Sequence, residues 1–461
     1  MNKHKKILWL ISLLLLPLFM MTACKANNIK SPEKLSEKPI YNEANKKIYD
    51  EIRKLTPLDT NFTLPQNAGE VGKINRVDLN NDGYDEIVTF KKKQSESQGV
   101  NSIYIYIFKS KNGELLDESE KIVRIPGDKI KYANFIDVDN NGKKNIVLQV
   151  TNKGFENIYV YQNEDDTIKK ISEFNTSKYS MLLNFYDYDQ DGKKEGLALL
   201  KDLSTYEIKV CKMNFVDGNI LFDEAGTIKN VENLEKTNLK NGLVGKGWRG
   251  SILTYQGLSG FMINEYIVYK DGKFVLVFND EYENKLNNIS TLGSFDINKD
   301  GIIEISQNVE KDPQDLPKGS SIVTWYQWNG KFDKERKLLN TNKVLYCYDY
   351  NFKLNLKDYD QNRLSVSRKS DEDKVQYVFS TRDEMSNKID YFKIIIIDKN
   401  SDYYNGVNKD AGSSDKQSNT VLYENQDYIY TFKYINQSAC KLMGTNYREV
   451  QKSFEIINKY I

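Results

Sequence analysis

The chain has 461 residues, enough for two or three domains, and its 66 Lys and Arg against 65 Asp and Glu leave a net charge of +1. So balanced a chain carries no global field to draw it to nucleic acid or to anionic lipid, and nucleic acid is not an expected partner. The single histidine, His4, falls in the N-terminal leader, so the rest of the chain has no imidazole for a Ser-His or Cys-His pair, a general base or a zinc ligand.

In chain order, Lys3, Lys5 and Lys6 precede an apolar run from Ile7 to Met20. That run is shorter than the roughly 20 residues a bilayer-spanning helix needs, so residues 1–23 read as a signal peptide. It ends in Met21-Thr22-Ala23-Cys24, which resembles the lipobox of bacterial lipoproteins. The resemblance implies cleavage before Cys24, lipidation of its sulfur and an extracytoplasmic protein anchored to the cell membrane. Residues 24–40 are polar and rich in Lys, Asn, Ser and Pro, and are expected to form a flexible tether. Residues 41–66 hold a helix over Ala44–Leu55, with Ile48, Ile52 and Leu55 on one stripe, and a lead-in. Beyond Cys24 the cysteines are Cys211, Cys347 and Cys440; an odd number argues against a disulfide framework, and Cys211 reads as a core residue of an alternating strand.

From residue 67 to 342 the chain repeats. Val77 to Phe90, Ile136 to Gln149, Tyr186 to Leu199 and Phe295 to Asn308 align without gaps. Each has an apolar residue, then D-x-[DN]-x-[DN]-G-x-x-[EN], then an apolar strand. The spacings are 59, 50 and 109 residues, so the last spans two periods with one motif missing. Turn signals at Asn112-Gly113, Asp165-Asp166, Asp217-Gly218, Asp271-Gly272 and Asn329-Gly330 recur every 52 to 58 residues and fill that gap. The strands before them alternate, as in Ile103 to Phe108 and Ile322 to Trp328. A four-stranded unit at this period predicts the blade of a β-propeller, with units at 71–128, 129–178, 179–238, 239–286 and 287–342. Five blades are counted, and flanking segments leave a sixth open.

The acidic loops offer side-chain oxygens at positions 1, 3, 5 and 9 and a glycine at 6, the donor chemistry of a calcium site. An EF-hand fails, because position 12 is Thr89, Leu148, Ala198 or Gln307 and the flanks are strands. Four such loops in phase resemble the FG-GAP/VCBS repeats of integrin α-like propellers, here on a lipoprotein of Gram-positive type. The resemblance implies a calcium cofactor and a further ligand, the backbone carbonyl at position 7. The sets are Asp78, Asn80, Asp82, Tyr84 and Glu86; Asp137, Asp139, Asn141, Lys143 and Asn145; Asp187, Asp189, Asp191, Lys193 and Glu195; Asp296, Asn298, Asp300, Ile302 and Glu304. Their carboxylate charges, −3, −2, −4 and −3, predict tightest binding in the third and weakest in the second. The fourth unit has Gly245-Lys246-Gly247-Trp248-Arg249-Gly250 instead, where a cationic side chain is expected to stabilise the turn without a metal.

Residues 343–461 leave the repeat and predict a small α+β domain. Strands are expected at Leu345–Leu356, Gln376–Phe379, Tyr391–Asp398 and Asp427–Ile435, a long loop at Ser401–Ser418 and a helix at Asn446–Tyr460. The arrangement weakly resembles PsbP/Mog1-like domains.

The fold class is therefore mainly β, a propeller followed by an α+β domain. No nucleophile elbow, phosphate loop or cysteine dyad is present, no catalytic residue is assigned, and a non-enzymatic role is expected. That role is a membrane-anchored binding or adhesion module for a cell-surface protein or glycan, or envelope assembly. The alternatives are a structural envelope protein and a polysaccharide-active hydrolase using two carboxylates.

Overall fold

The computed structural model describes residues 43–457, apart from 68–70, 95–98, 100, 112–113, 165–166, 233, 235–236, 279–288, 310–315, 334, 336, 357–363, 372–373, 383–386, 402–419 and 443–445. The leader, the tether with Cys24, the turns at Asn112-Gly113 and Asp165-Asp166, and the long loop expected at Ser401–Ser418, beyond Ser401 itself, lie outside the described residues. No described helix is long and apolar enough to cross a membrane.

The chain is mainly β and propeller-like, built of five antiparallel blades in sequence order. Blade 1 has β3 (Glu86–Lys93), β4 (Ser102–Lys111) and β5 (Glu114–Pro126), with β1 (Asn61–Phe62) and β2 (Asn75–Val77) both paired to one edge of β3. Blade 2 is β6 (Lys129–Ile136), β7 (Asn145–Asn152), β8 (Phe155–Asn163) and β9 (Ile168–Thr176). Blade 3 is β10 (Tyr179–Tyr186), β11 (Glu195–Asp202), β12 (Ile208–Val216) and β13 (Asn219–Ile228). Blade 4 is β14 (Asn238–Gly245), β15 (Trp248–Gln256), β16 (Met262–Lys270) and β17 (Lys273–Leu276). Blade 5 is β18 (Ile289–Phe295), β19 (Glu304–Asn308), β20 (Ser320–Trp328) and β21 (Leu338–Cys347).

The second strands β7 and β11 are buried along almost their whole length on both faces. The reason is that each middle blade is covered on both sides, so alternation gives way to continuous apolar sequence such as Leu197-Ala198-Leu199-Leu200. Separate apolar clusters join blade 1 to 2, 2 to 3, 3 to 4 and 4 to 5. Among the described residues no cluster joins blade 5 to blade 1. The outer face of blade 1 instead receives helix α1 (Glu43–Leu55), whose Ile48 and Ile52 pack on Ile87, Tyr106 and Phe108. Leu55, expected on the same stripe, is exposed, because the chain leaves the blade there through the Thr56 turn. Val323, Trp325, Val344 and Tyr346 on the far face of blade 5 pack with Ile457.

Turn chemistry accounts for three of the described hairpins. Asp217-Gly218 and Asp271-Gly272 hold both residues at positive φ, as a type I′ turn needs, and Lys153-Gly154, absent from the expected turns, does the same. Asn329-Gly330 does not close a two-residue hairpin. Asn329 instead anchors a longer connection, its side-chain oxygen accepting from the backbone N–H of Lys331 and of Lys337.

The boundary expected after residue 342 falls inside β21, and the sheet runs on into β22 (Phe352–Asn355) and β28 (Phe454–Ile456). The strand expected over Leu345–Leu356 is broken at Tyr348–Tyr350 by a short 3-10 turn, which ends on Asn351 at φ 49° and reverses the chain. A second antiparallel sheet has the order β23 (Ser365–Ser370), β24 (Lys374–Arg382), β25 (Lys388–Asp398), β27 (Tyr428–Tyr434) and β26 (Thr420–Glu424). Helices α2 (Gln437–Leu442) and α3 (Tyr447–Ser453) complete this part. The helix expected to reach Tyr460 thus ends at Ser453. Phe454 turns into the core against Phe352, rings 5.4 Å apart, and its strand pairs with β22.

Candidate metal centres

Each acidic loop joins the first two strands of a blade, and the four adopt one conformation. Position 4 (Asn81, Asn140, Gln190, Lys299) has φ between 58° and 65°, and the glycine at position 6 has φ between 85° and 89°. Two left-handed residues wind six residues into a tight coil, and side-chain oxygens then cap its backbone. Asp78, Asp137 and Asp296 accept from the N–H groups of positions 5 and 6 at 2.9–3.2 Å. Asp82, Asn141, Asp191 and Asp300 accept from the N–H of position 7 at 2.7–2.8 Å.

Position 9 begins the next strand and reaches back. Glu86, Glu195 and Glu304 each accept from the N–H of position 2, that of Leu79, Tyr188 or Ile297, at 2.9 Å. Asn145 does the same for Val138 at 3.0 Å, so an amide can replace the glutamate in this role. One oxygen of each glutamate is thereby spent on the fold, and the other is left for the loop. Tyr84, Lys143 and Lys193 carry exposed side chains and that of Ile302 is half-buried, so position 7 enters the turn through its backbone.

Burial and mutual repulsion raise the proton affinity of several of these carboxylates. Burial first, and then the fields of Asp300 and Asp296, push Glu304 up to about 7. Burial with Asp82 and Asp78 raises Glu86, and burial with Asp189 and Asp191 raises Glu195. Asp139 is raised by burial and by a hydrogen bond shared with Asp137. Asp139 Oδ1, Asp187 Oδ1 and Glu304 Oε1 are buried with no hydrogen-bond partner. Buried acceptors of this kind are rare in folded proteins and fit a hard cation.

The third loop converges furthest: one ligand atom each of Asp187, Asp189 and Glu195 lie within 4.8 Å of one another. In the first and fourth loops Asn80 and Asn298 hold position 3, and their amides donate to Asp82 and Asp300. Gln327 Nε2 also donates to Asp300 at 2.9 Å, a contribution from β20 that no local motif could have announced.

The fourth blade lacks the coil. Lys246 and Gly247 form a two-residue turn between Gly245 and Trp248. Arg249 leaves that turn and stacks on Tyr186 of blade 3, 5.2 Å from the ring centre, donating to its hydroxyl. The cation expected to stabilise its own turn therefore fastens blade 4 to blade 3. The turn is held by the fifth blade instead, Trp248 Nε1 donating to the carbonyl of Gly330 at 2.9 Å.

Sequence reasoning also missed a groove of about 910 Å³ along the first strands of blades 2 to 4, where apolar side chains such as Met181, Leu183 and Phe185 stand among polar ones. Lys131, Gln149, Ser180, Asn184 and Asn238 line it, and no carboxylate stands among its described lining residues.

No protein-family model matches the chain, and no curated protein does. Among solved structures, the Dos1 propeller aligns over 66% of this chain and 78% of its own, at 12% identity and a TM-score of 0.29. A Bacillus licheniformis rhamnogalacturonan lyase aligns over 61% and 68%, at 11% identity and a TM-score of 0.27. An uncharacterised Listeria monocytogenes protein aligns over 58% and 74%, at 13% identity and a TM-score of 0.23. Likeness of this degree carries no argument about activity or partners.

Proposed function

We propose that the chain is a calcium-binding, non-enzymatic binding module of FG-GAP/VCBS type, carried outside the cell on a lipidated Cys24. The observation that carries this reading is the turn itself. One nine-residue coil recurs in four of five blades, and in three of them a carboxylate oxygen is buried without a partner. Calcium held there by positions 1, 3, 5 and 9 would neutralise the clustered carboxylates and pin the first strand of each blade to the second. The unfolded chain has no such site, so binding energy adds directly to stability. The groove along blades 2 to 4 is the seat proposed for a cell-surface protein segment or glycan, since apolar side chains such as Met181 and Phe185 stand there beside amide, hydroxyl and ammonium groups.

The deciding experiment is a calcium titration by calorimetry on residues 25–461, with thermal melts in calcium and in chelator. Three or four ions and a clear rise in melting temperature are expected. No heat and no shift would return the coils to plain acidic turns.

A further inference from the structure

In every acidic loop the backbone N–H of position 2 donates to the position 9 side chain. Leu79, Val138 and Ile297 carry hydrocarbon at position 2 of their loops, whereas the third loop has a hydroxyl there, on Tyr188. The Tyr188 ring is buried and crosses into the cluster shared with blade 4, edge-on to Phe274 of β17 at 5.0 Å.

The hydroxyl belongs to a closed set of hydrogen bonds. Asn184 Nδ2 of β10 donates to it at 2.8 Å, and Ser251 Oγ of β15 lies 2.7 Å away. Ser251 donates to Asn241 Oδ1 at 2.8 Å, which uses its one proton, so Tyr188 is the donor to Ser251. Asn241 of β14 and Asn184 then exchange amide hydrogen bonds at 3.0 and 3.1 Å, which closes the set across the two blades. Ser251 is fully buried and Tyr188 nearly so. Buried and mutually paired, such groups reinforce one another in a single arrangement. Asn184 also lines the groove, together with Leu182 of its own strand and Asn238 and Leu239 of β14. Tyr188 thus has its N–H on Glu195 of the acidic loop, at 2.9 Å, and its hydroxyl on a residue of the groove wall.

We propose that Tyr188 makes the groove calcium-sensitive, a proposal that rests on the calcium reading of the loops and on the groove as the binding seat. Without a cation, repulsion among Asp187, Asp189, Asp191 and Glu195 loosens the loop, and the Tyr188 N–H moves with Glu195. With those charges neutralised, position 2 is fixed, and Tyr188 holds Asn184 and Asn241 together across the junction of blades 3 and 4. The groove wall at Asn184 is then ordered for an occupant. By linkage, an occupant that holds Asn184 in place tightens calcium at the third loop by the same factor.

The test is hydrogen exchange by mass spectrometry on residues 25–461, in calcium and in chelator, with calorimetry of the same samples. β14 lies in the blade that lacks an acidic loop, so its amides report the link rather than the metal itself. In calcium they should exchange at least about fivefold more slowly, the low end of measured couplings between sites. β24 of the C-terminal sheet is the reference, which corrects for a change in global stability. Ser251→Ala, outside the loop, should keep the calcium heats and lose the slowing. Tyr188→Phe should lose it as well and replaces Ser251→Ala if that variant does not fold. Calcium heats with β14 unchanged, or slowing that persists in both variants, would overturn the proposal and leave the calcium reading standing. An absence of calcium heats in the parent would overturn both.

Discussion

Gly245 of the fourth blade lies flat against the indole of Trp328 of the fifth, so close that a methyl group on Gly245 would overlap the ring. The two residues also form a parallel bridge between β14 and β20, which joins the blades into one continuous sheet. Trp328 is fully buried, with the rings of Tyr266 and Phe332 in T-shaped contact with its indole.

That contact predicts that Gly245→Ala costs about 1–3 kcal/mol by overpacking, and Trp328→Ala about 3–5 kcal/mol by leaving a cavity. Combined in one chain, the two changes should cost clearly less than their sum, because the alanine methyl then occupies space the indole has left. Denaturant midpoints of the three variants check this; strict additivity would show that the residues do not share a packing site.

The third acidic loop should hold calcium most tightly, since among the described residues it alone brings three carboxylates within 4.8 Å of one another. Asp187→Asn is expected to remove its highest-affinity step and lower the melting temperature in calcium. In chelator the same variant should melt at or above the parent, because a cluster of like charges has been relaxed. Asp137→Asn should leave the tightest step intact, and calorimetry of both variants separates the sites.

Gly192 at φ 89° has no atom within 4 Å of the place a Cβ would take. Gly192→Ala therefore measures backbone strain alone, and a loss of about 1–2 kcal/mol is expected. A neutral outcome in urea unfolding would mean that the coil rearranges without its left-handed residue.

Asp128 is held below the usual carboxylate range by the backbone N–H of Lys153 and by the Asn101 amide. A depressed folded-state value means stability that is full above the unfolded pKa, near 4, and lost as pH falls through the lower folded value. Asp128→Asn should flatten the acid limb of melting temperature against pH between about 4 and 2. An unchanged limb would remove Asp128 from the acid response.

The three thiols are buried, and burial pushes Cys211 and Cys440 up to about 11 and Cys347 up to about 12. Since the thiolate is the reactive form, residues 25–461 should show no fast-reacting thiol at pH 8 when native and three per chain once unfolded. A thiol titrated quickly in the native protein would mark local opening around it.

The sequence by itself determined the blades and the acidic coils. Their chemistry is local: a glycine at position 6, oxygens two residues apart and Asp-Gly turns act within a dozen residues, and alternation or a short apolar run marks the strands. The coil of Asp187 to Glu195 was legible for that reason, though not the carboxylate's reach back to the N–H of the second residue. Where the row of blades ends was not legible, because α1 on blade 1 and Ile457 on blade 5 occupy faces that sequence pattern leaves unassigned. Nor was the passage of blade 5 into β22 and β28, which rests on pairing Phe352 with a residue about a hundred positions away. Arg249 on Tyr186 and Trp328 on Gly245 are likewise products of register and packing between distant segments. Only the tertiary structure decides these, because no short stretch of chain contains both halves of the contact.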